Sequence, residues 1–281
     1  LRGEEIDRWA QKKSYNVIKI AGVSGKTKQA VEETAKAEHY GYHACLVGLS
    51  AFKEESPAEM VKHCAEIASG MPIIGFYLQP SVGGRILPFE FWHDFAEIGN
   101  VIGIKIAPFD RYKTIDVVRA VAEAGTEGSI TLYTGNDDTI VTDLLTRFRI
   151  RRSGSDATIR MKGGLLGHWG FWTKKAVELL EQIHAIVENE RSIPMSLLST
   201  AAEITDVNSA VFDPAHKFAG CIPGIHEMLR RQGLLEGRWC LNSDETLSEG
   251  QMDEIERVHR SFPHLNDFDF VRQHIDRKSV V

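Results

Sequence analysis

Two short apolar segments of the chain each carry one polar side chain that could do chemistry. Residues 73–77 include Tyr77 and residues 101–106 include Lys105, and both segments are typical of buried strands. Alternation along a strand places Gly103 beside Lys105 and Gly75 beside Tyr77, and a glycine leaves room on that face, as a ligand pocket needs. Burial disfavours a charged lysine, and its neutral amine is a nucleophile that forms Schiff bases with carbonyl compounds. The alternative is a strand-end lysine whose ammonium group reaches solvent.

The composition is typical of a globular protein and argues against several classes of binding partner. The chain has 281 residues, of which 43% are hydrophobic and 26% charged, which is enough for one large core. A net charge of -6 and no basic cluster argue against general binding to nucleic acid or acidic membranes. No apolar run approaches the roughly 20 residues of a membrane span.

Cysteine and histidine spacing gives no sign of a disulfide framework or a metal site. The four cysteines contain no CxxC pair, which favours free thiols and a cytoplasmic location. The eleven histidines form no HExxH-type spacing, so we expect no metal and no bound cofactor.

Strands and helices are predicted to alternate along the first two thirds of the chain. The predicted strands are residues 16–23, 44–49, 73–77, 101–106, 129–134 and 157–161. Such a pattern indicates parallel strands with helices packed outside. Because the sequence lacks a Rossmann glycine fingerprint, a barrel is favoured over a doubly wound sheet. Barrel enzymes place their chemistry at the carboxyl ends of the strands, where Tyr77, Lys105 and the segment after Gly135 fall.

Local signals predict several element boundaries. Ser56 and Glu59 form a capping box at the start of a helix, and Asn136 or Asp137 is expected to cap the helix that follows the fifth strand. Residues 147–155 are predicted to be a solvated loop or hairpin. We expect residues 1–190 to form an incomplete barrel and residues 191–281 a helical segment packed on it.

The segment from Ser24 to Thr27, S-G-K-T, invites comparison with a phosphate-binding loop. That motif requires a glycine at position 20, where this chain has Ile20. The alternative interpretation is a turn in which Thr27 caps the next helix. A phosphate-ligand enzyme therefore stays a minor hypothesis.

The polar segments together resemble the dihydrodipicolinate synthase / N-acetylneuraminate lyase family. The family pattern is a tyrosine in a Y-x-x-P turn followed by a Schiff-base lysine in G-x-K. Here Y-L-Q-P begins at Tyr77 and G-I-K ends at Lys105, 28 residues later, which matches the family spacing. The G-N-D-D segment that begins at Gly135 and the helical segment around residues 222–225 are also similar to the family.

The resemblance implies a (β/α)8 TIM barrel, of which six βα units are present and two are missing, with a C-terminal helical extension. It implies a class I aldolase-type lyase in which Lys105 attacks the ketone of a 2-oxo acid such as pyruvate. Tyr77 would be the proton shuttle. Family members usually form homodimers or homotetramers.

Further site residues follow from the resemblance and from position. The expected substrate-binding residues are Ser50, Gly135, Asn136, Asp137, Gly163 and Gly164. Arg111 and His168 start loops on the same side and are weaker candidates. Trp169 and Trp172 are predicted to pack against helices.

The sequence also departs from the family in three places. It starts in what would be the helix after the second βα unit, so we expect upstream sequence to be absent. Ser50-Ala51-Phe52 stands where the family places an aromatic pair with a relay tyrosine. Val82 occupies the position of the synthases' arginine, with Arg85 three residues later. These departures favour a lyase or hydratase of a sugar-derived 2-oxo acid over dihydrodipicolinate synthesis. A catalytically inactive or regulatory barrel that binds a small 2-oxo acid is the alternative.

Overall fold

The computed structural model describes residues 2–152 and 154–275, which form two compact units. The first unit contains the chain up to Tyr133 and Arg147–Lys162. The second contains Thr134–Thr146 and the described residues from Gly163 to Ile275. The predicted division into a barrel part and an extension at residue 190 stays a prediction.

The strands follow the predicted alternation. Their bounds are β1 (Ile20–Val23), β2 (Ala44–Val47), β3 (Ile73–Leu78), β4 (Val101–Ala107), β5 (Thr131–Thr134), β6 (Phe148–Arg151), β7 (Asp156–Ile159) and β8 (Met161–Gly164). One sheet has the order β1-β2-β3-β4-β5-β8, and the first three pairings in it are parallel. Strand order in a doubly wound sheet reverses at a switch point, whereas this order never reverses. The predicted α/β class is confirmed.

Strands β6 and β7 form a separate antiparallel hairpin. The hairpin expected in this region is present, but it extends further than predicted. Ala157 and Ile159 alternate with exposed residues and bury one face, so the segment predicted as the sixth sheet strand belongs to the hairpin. The sixth strand of the sheet is β8 instead.

The helices in the first half of the chain occupy the predicted positions. They are α1 (Arg2–Lys13), α2 (Thr27–His39), α3 (Pro57–Ala68), α4 (Phe89–Ala96), α5 (Arg111–Glu123) and α6 (Ile140–Leu145). The capping box of Ser56 and Glu59 is present at the start of α3. The predicted cap of α6 is wrong, because Thr139 precedes that helix and makes no side-chain cap bond.

The second half of the chain is helical, as predicted. It contains α7 (Thr173–Glu188), α8 (Met195–Phe212), α9 (Cys221–Arg231), α10 (Gln251–Ser261) and α11 (Phe268–His274). Asp213 has a left-handed backbone after the end of α8, and a single 3-10 turn at Pro214–His216 follows it. Trp172 is 1% exposed in the aromatic and aliphatic core of this unit, in agreement with its predicted packing role. Across the described residues, no helix is long and apolar enough to cross a membrane.

A bulge in β4 sets the register between β3 and β4. Ile73 pairs with Val101, but the next residue, Ile74, pairs with Gly103. Ile102 is the extra residue and is 41% exposed. Such a bulge shifts every later pair by one position and therefore moves side chains to the other face.

The two faces of β3 have different neighbours as a result. Tyr77 shares its face with Gly75, and both lie against α4. A β-carbon at Gly75 would come within 2.8 Å of the Phe95 ring and 3.2 Å of Trp92. The glycine at position 75 therefore makes room for the aromatic residues of α4, not for a ligand as the sequence suggested.

Candidate active site

A cavity of about 350 Å³ lies at the carboxyl ends of β1, β2 and β3. Its walls are the ends of these strands and the loops that follow them: Gly22, Val23, Ser24, Leu46, Gly48, Leu49, Ser50, Phe76, Leu78, Gly84, Arg85 and Leu87. The carboxyl ends of parallel strands are where α/β enzymes place their binding sites. This cavity is the candidate active site, and all of its lining belongs to the first unit.

Lys105 is outside the cavity lining but contacts Phe76, which belongs to that lining. It is half-buried in β4, and its Nζ lies 4.1 Å from the centroid of the Phe76 ring, which lines the cavity. Phe76 and Lys105 are paired in the parallel ladder, so both side chains project from the same face of the sheet. The ring attracts a cation and also excludes water from one side of the amine.

Tyr77 lies on the opposite face, so the predicted juxtaposition of the phenol and the amine is wrong. The side chain is 1% exposed, and its ring packs 5.2 Å from Trp92. Its hydroxyl donates to the Leu87 carbonyl at 3.2 Å and accepts from the Leu87 N–H at 3.3 Å. Burial raises the pKa of Tyr77 above its usual value. The β4 bulge is the cause, because it places Phe76 instead of Tyr77 opposite Lys105.

The loop after β3 supplies a cavity residue whose role the sequence did not predict. Gly83 has a φ of 91°, which favours glycine, and a β-carbon at Gly84 would lie 1.8 Å from the Leu78 carbonyl oxygen. This tight turn returns the chain to the cavity, where Arg85 contributes its side chain. One of its guanidinium nitrogens donates to the Phe52 carbonyl at 3.2 Å. The sequence signals were the adjacent glycine pair and the position of Arg85 three residues after Val82.

Ser50 lines the same cavity and is exposed, which fits its predicted position after β2. Its assignment to substrate binding stays a prediction.

In the S-G-K-T segment, the side chains of Lys26 and Thr27 contact other protein side chains, as expected for a structural turn. Lys26 pairs with Glu55 and lies 4.5 Å above the Phe52 ring. The Thr27 hydroxyl hydrogen-bonds His63 Nδ1 at 2.9 Å, and Thr27 is the first residue of α2 instead of its cap. The groups that would hold a phosphate are therefore engaged with the protein.

Asn136, a predicted substrate-binding residue, belongs to a buried network in the second unit. Its backbone N–H donates to the Thr134 hydroxyl at 3.1 Å, and its side-chain amide donates to Asp143 at 3.1 Å. The Thr134 hydroxyl donates to the same carboxylate oxygen at 2.6 Å. Asp143 is fully buried, so these donors satisfy a carboxylate that water does not reach.

Asp137 is held by a second set of bonds in the same unit. Its carboxylate accepts a hydrogen bond from the backbone N–H of His168 at 2.9 Å, and its backbone carbonyl accepts one from the side-chain amide of Asn208 at 2.6 Å. The Asn208 oxygen lies 2.7 Å from His168 Nδ1, so that ring nitrogen carries the proton. Burial lowers the pKa of His168 to about 4.

The three glycines predicted to bind substrate lie in the second unit, in closely packed surroundings. Gly135 and Gly163 are buried. A β-carbon at Gly164 would lie 2.5 Å from Leu166. The substrate-binding roles assigned to Asn136, Asp137 and these glycines stay predictions; the bonds described above are with protein groups.

One group of side chains has metal-ligand spacing among the residues that the structure describes. His93, Asp94 and Glu97 place ligand atoms within 4.8 Å of one another on α4. Asp94 and Glu97 are exposed, and exposed carboxylates often lie together without a metal.

The sequence has curated relatives of one kind. A sequence model described as the dihydrodipicolinate synthetase family matches residues 8–148. A 4-hydroxy-tetrahydrodipicolinate synthase of Legionella pneumophila is 33% identical over 129 residues, which cover 45% of this chain and 42% of that protein. The matched segment thus spans about two fifths of the relative's length.

Solved structures share the fold across most of the chain. A dihydrodipicolinate synthase of Acinetobacter baumannii, complexed with pyruvate, has a TM-score of 0.67 and 21% identity, covering 92% of this chain and 78% of that one. A prophage protein of E. coli K12 from the dihydrodipicolinic acid synthase family, also in complex with pyruvate, has a TM-score of 0.67 and 17% identity, covering 94% and 80%. These neighbours show a TIM-barrel fold with C-terminal helices. The family model matches half of the chain, at residues 8–148, and so shows that this chain belongs to the dihydrodipicolinate synthetase family.

Proposed function

We propose that this protein is a lyase that forms a Schiff base between Lys105 and a 2-oxo acid. The observation that carries the proposal is the position of the half-buried Lys105, whose amine lies 4.1 Å from the ring of Phe76, a residue of the cavity lining. The volume of that cavity, about 350 Å³, is in the range of small-molecule sites. Family members are lyases, most of them Schiff-base aldolases.

The proposed chemistry needs an uncharged amine at Lys105. Its nitrogen adds to the ketone carbon and gives a neutral carbinolamine. The hydroxyl of the carbinolamine takes up a proton from solvent and leaves as water, which gives a protonated imine. The imine accepts the electron pair of the carbon–carbon bond that breaks, so the carbanion does not form unassisted. Tyr77 has no proton transfer in this scheme, since its hydroxyl is bonded to Leu87 on the other face of the sheet.

Trapping the imine tests the proposal. The protein is incubated with pyruvate and with longer 2-oxo acids, reduced with borohydride, digested and mapped by mass spectrometry. We expect one adduct, on Lys105, and none in Lys105→Ala. Lys36→Ala is the matched control because Lys36 is exposed on α2. If no 2-oxo acid gives an adduct on Lys105, the proposal is wrong.

A second candidate is a catalytically inactive or regulatory barrel that binds a 2-oxo acid. The displacement of Tyr77 from the Lys105 face favours it, because the phenol expected to shuttle protons is absent from that face. Thermal stabilisation by pyruvate that persists in Lys105→Ala, without any trapped adduct in the parent protein, would select this candidate.

The proposal also covers the identity of the substrate, the oligomeric state and the cellular compartment. A sugar-derived 2-oxo acid is preferred to dihydrodipicolinate synthesis, since Val82 stands in place of the synthases' arginine. A homodimer or homotetramer is tested by light scattering across protein concentrations. Four unbridged cysteines fit a reducing cytoplasm.

A further inference from the structure

Arg85 supplies the charge in the cavity lining. The other residues that form the walls of this cavity are apolar, apart from the hydroxyls of Ser24 and Ser50. Among the residues that the structure describes, no carboxylate pairs with Arg85, and its hydrogen bond to the Phe52 carbonyl occupies one of its five N–H donors. The guanidinium is half-buried, so it combines unused donors with partial shielding from water.

We propose that Arg85 binds a carboxylate of the ligand in this cavity, and that Tyr77 is the positioning residue that holds the Arg85 loop in place. The identity of the ligand as a 2-oxo acid rests on the proposed function; the affinity of the cavity for a carboxylate does not. A guanidinium presents paired N–H donors that match the two oxygens of a carboxylate.

A positive charge besides that of Lys105 is needed, because Lys105 cannot both attack the ketone and bind the carboxylate. An amine that attacks a ketone must be uncharged, so it offers no positive charge to the carboxylate of the same molecule. The apolar walls that Leu46, Phe76 and Leu78 contribute make an unpaired carboxylate costly. A neighbouring guanidinium offsets that cost.

Three contacts fix the position of the loop. The turn at Gly84 lies against the Leu78 carbonyl, and Arg85 is tied to the Phe52 carbonyl. Two residues further on, the Tyr77 hydroxyl contacts both the N–H and the C=O of Leu87. Because Tyr77 is itself enclosed by Trp92 and α4, it anchors the loop to the rigid part of β3.

Equilibrium binding of glutarate tests Arg85 independently of Schiff-base chemistry. Glutarate has carboxylates but no ketone, so its affinity does not depend on a covalent step. By isothermal titration we expect Arg85→Gln to weaken glutarate binding by about 10- to 100-fold, as for loss of charge-assisted hydrogen bonds. Arg85→Lys should restore part of the affinity. The matched control is Arg149→Gln, an exposed arginine on β6, which should bind like the parent protein.

Pyruvate and 2-oxoglutarate then identify which carboxylate Arg85 contacts. Weaker binding of both by Arg85→Gln assigns the carboxylate next to the ketone, and weaker binding of 2-oxoglutarate alone assigns the remote one. Unchanged affinity of Arg85→Gln for all three acids overturns the assignment of Arg85. Absence of a trapped adduct with normal glutarate binding would instead reject the Schiff-base function and leave the carboxylate site intact.

Tyr77→Phe tests the positioning role. It removes the hydroxyl that contacts Leu87 and retains the ring, so we expect a smaller loss of glutarate affinity, about 2- to 5-fold. In the double variant with Arg85→Gln, the effect of Tyr77→Phe on affinity should disappear. Unchanged glutarate affinity together with slower adduct formation would contradict positioning and support a proton-transfer role.

Discussion

Two sets of polar residues in this protein have opposite surroundings. Around the cavity of the first unit, Arg85 and Ser50 face the open space, and Lys105 lies half-buried beside it. In the second unit, Asn136 and Asp137 are buried and bonded to protein groups on several sides. Both sets lie at the carboxyl ends of strands, where sequence reasoning assigns binding roles.

The difference teaches that position at a strand end does not by itself make a polar residue a ligand group. A buried polar group whose hydrogen bonds are filled by the protein specifies the fold, and its loss is costly for stability. Arg85, which has unused donors at the cavity wall, is available to a ligand. Substitutions should therefore affect function in the first set and stability in the second.

Substitution of Lys105 should give the largest difference between the effect on function and the effect on stability. Lys105→Met keeps an unbranched side chain of similar length against Phe76 and removes the amine. We expect complete loss of the borohydride-trapped adduct with a change in unfolding free energy below about 1 kcal/mol, measured by urea denaturation. A stability loss as large as that of a core substitution would show that Lys105 belongs with the structural set.

Asp143→Ala should have the largest effect on stability. The substitution leaves the Thr134 hydroxyl and the Asn136 amide without their buried acceptor. Unsatisfied buried groups of this kind should cost about 3 kcal/mol in unfolding free energy. The folded fraction should still trap pyruvate on Lys105. Thr142→Ala on the same helix is a suitable comparison, because that hydroxyl donates to the carbonyl of Thr139, just before the helix, and is only part-buried.

His168 should make the second set sensitive to acid. Its pKa is about 4 when folded and 6.5 in the reference state, so between these values the unfolded chain binds more protons. Stability should therefore fall as pH decreases through this window, by about 2 kcal/mol between pH 6.5 and 5. Denaturation curves for His168→Gln should lack this component. An equal pH dependence in both proteins would assign it to other groups.

Tyr77→Phe is expected to have the smallest effect of the four. Both contacts of the hydroxyl are to the backbone of Leu87, and the aromatic packing on Trp92 is retained. We expect a loss of about 1 kcal/mol in thermal or chemical unfolding. Together with the weaker ligand binding described above, this result would place Tyr77 between the two sets, as a structural residue with an indirect effect on the cavity.

The sequence by itself determined the alternation of strands and helices, the capping box of α3 and the presence of Lys105 inside a strand. These features depend on hydrophobic period and on groups within a few residues of one another. They were sufficient to predict the α/β class. The resemblance of the motifs around Tyr77 and Lys105 was sufficient to identify the family.

Only the tertiary structure decided which side chain lies beside Lys105. A spacing of 28 residues pairs Tyr77 with Lys105 in an unbroken register, but the extra residue at Ile102 makes Phe76 the partner instead. Period-2 alternation fixes faces within one strand and says nothing about register between strands, which side-chain packing across the sheet sets. In the same way, Asp137 is hydrogen-bonded to His168 and Asn208, which lie 31 and 71 residues further along the chain. Contacts at that separation form only when the chain folds, so no local pattern in the sequence could reveal them.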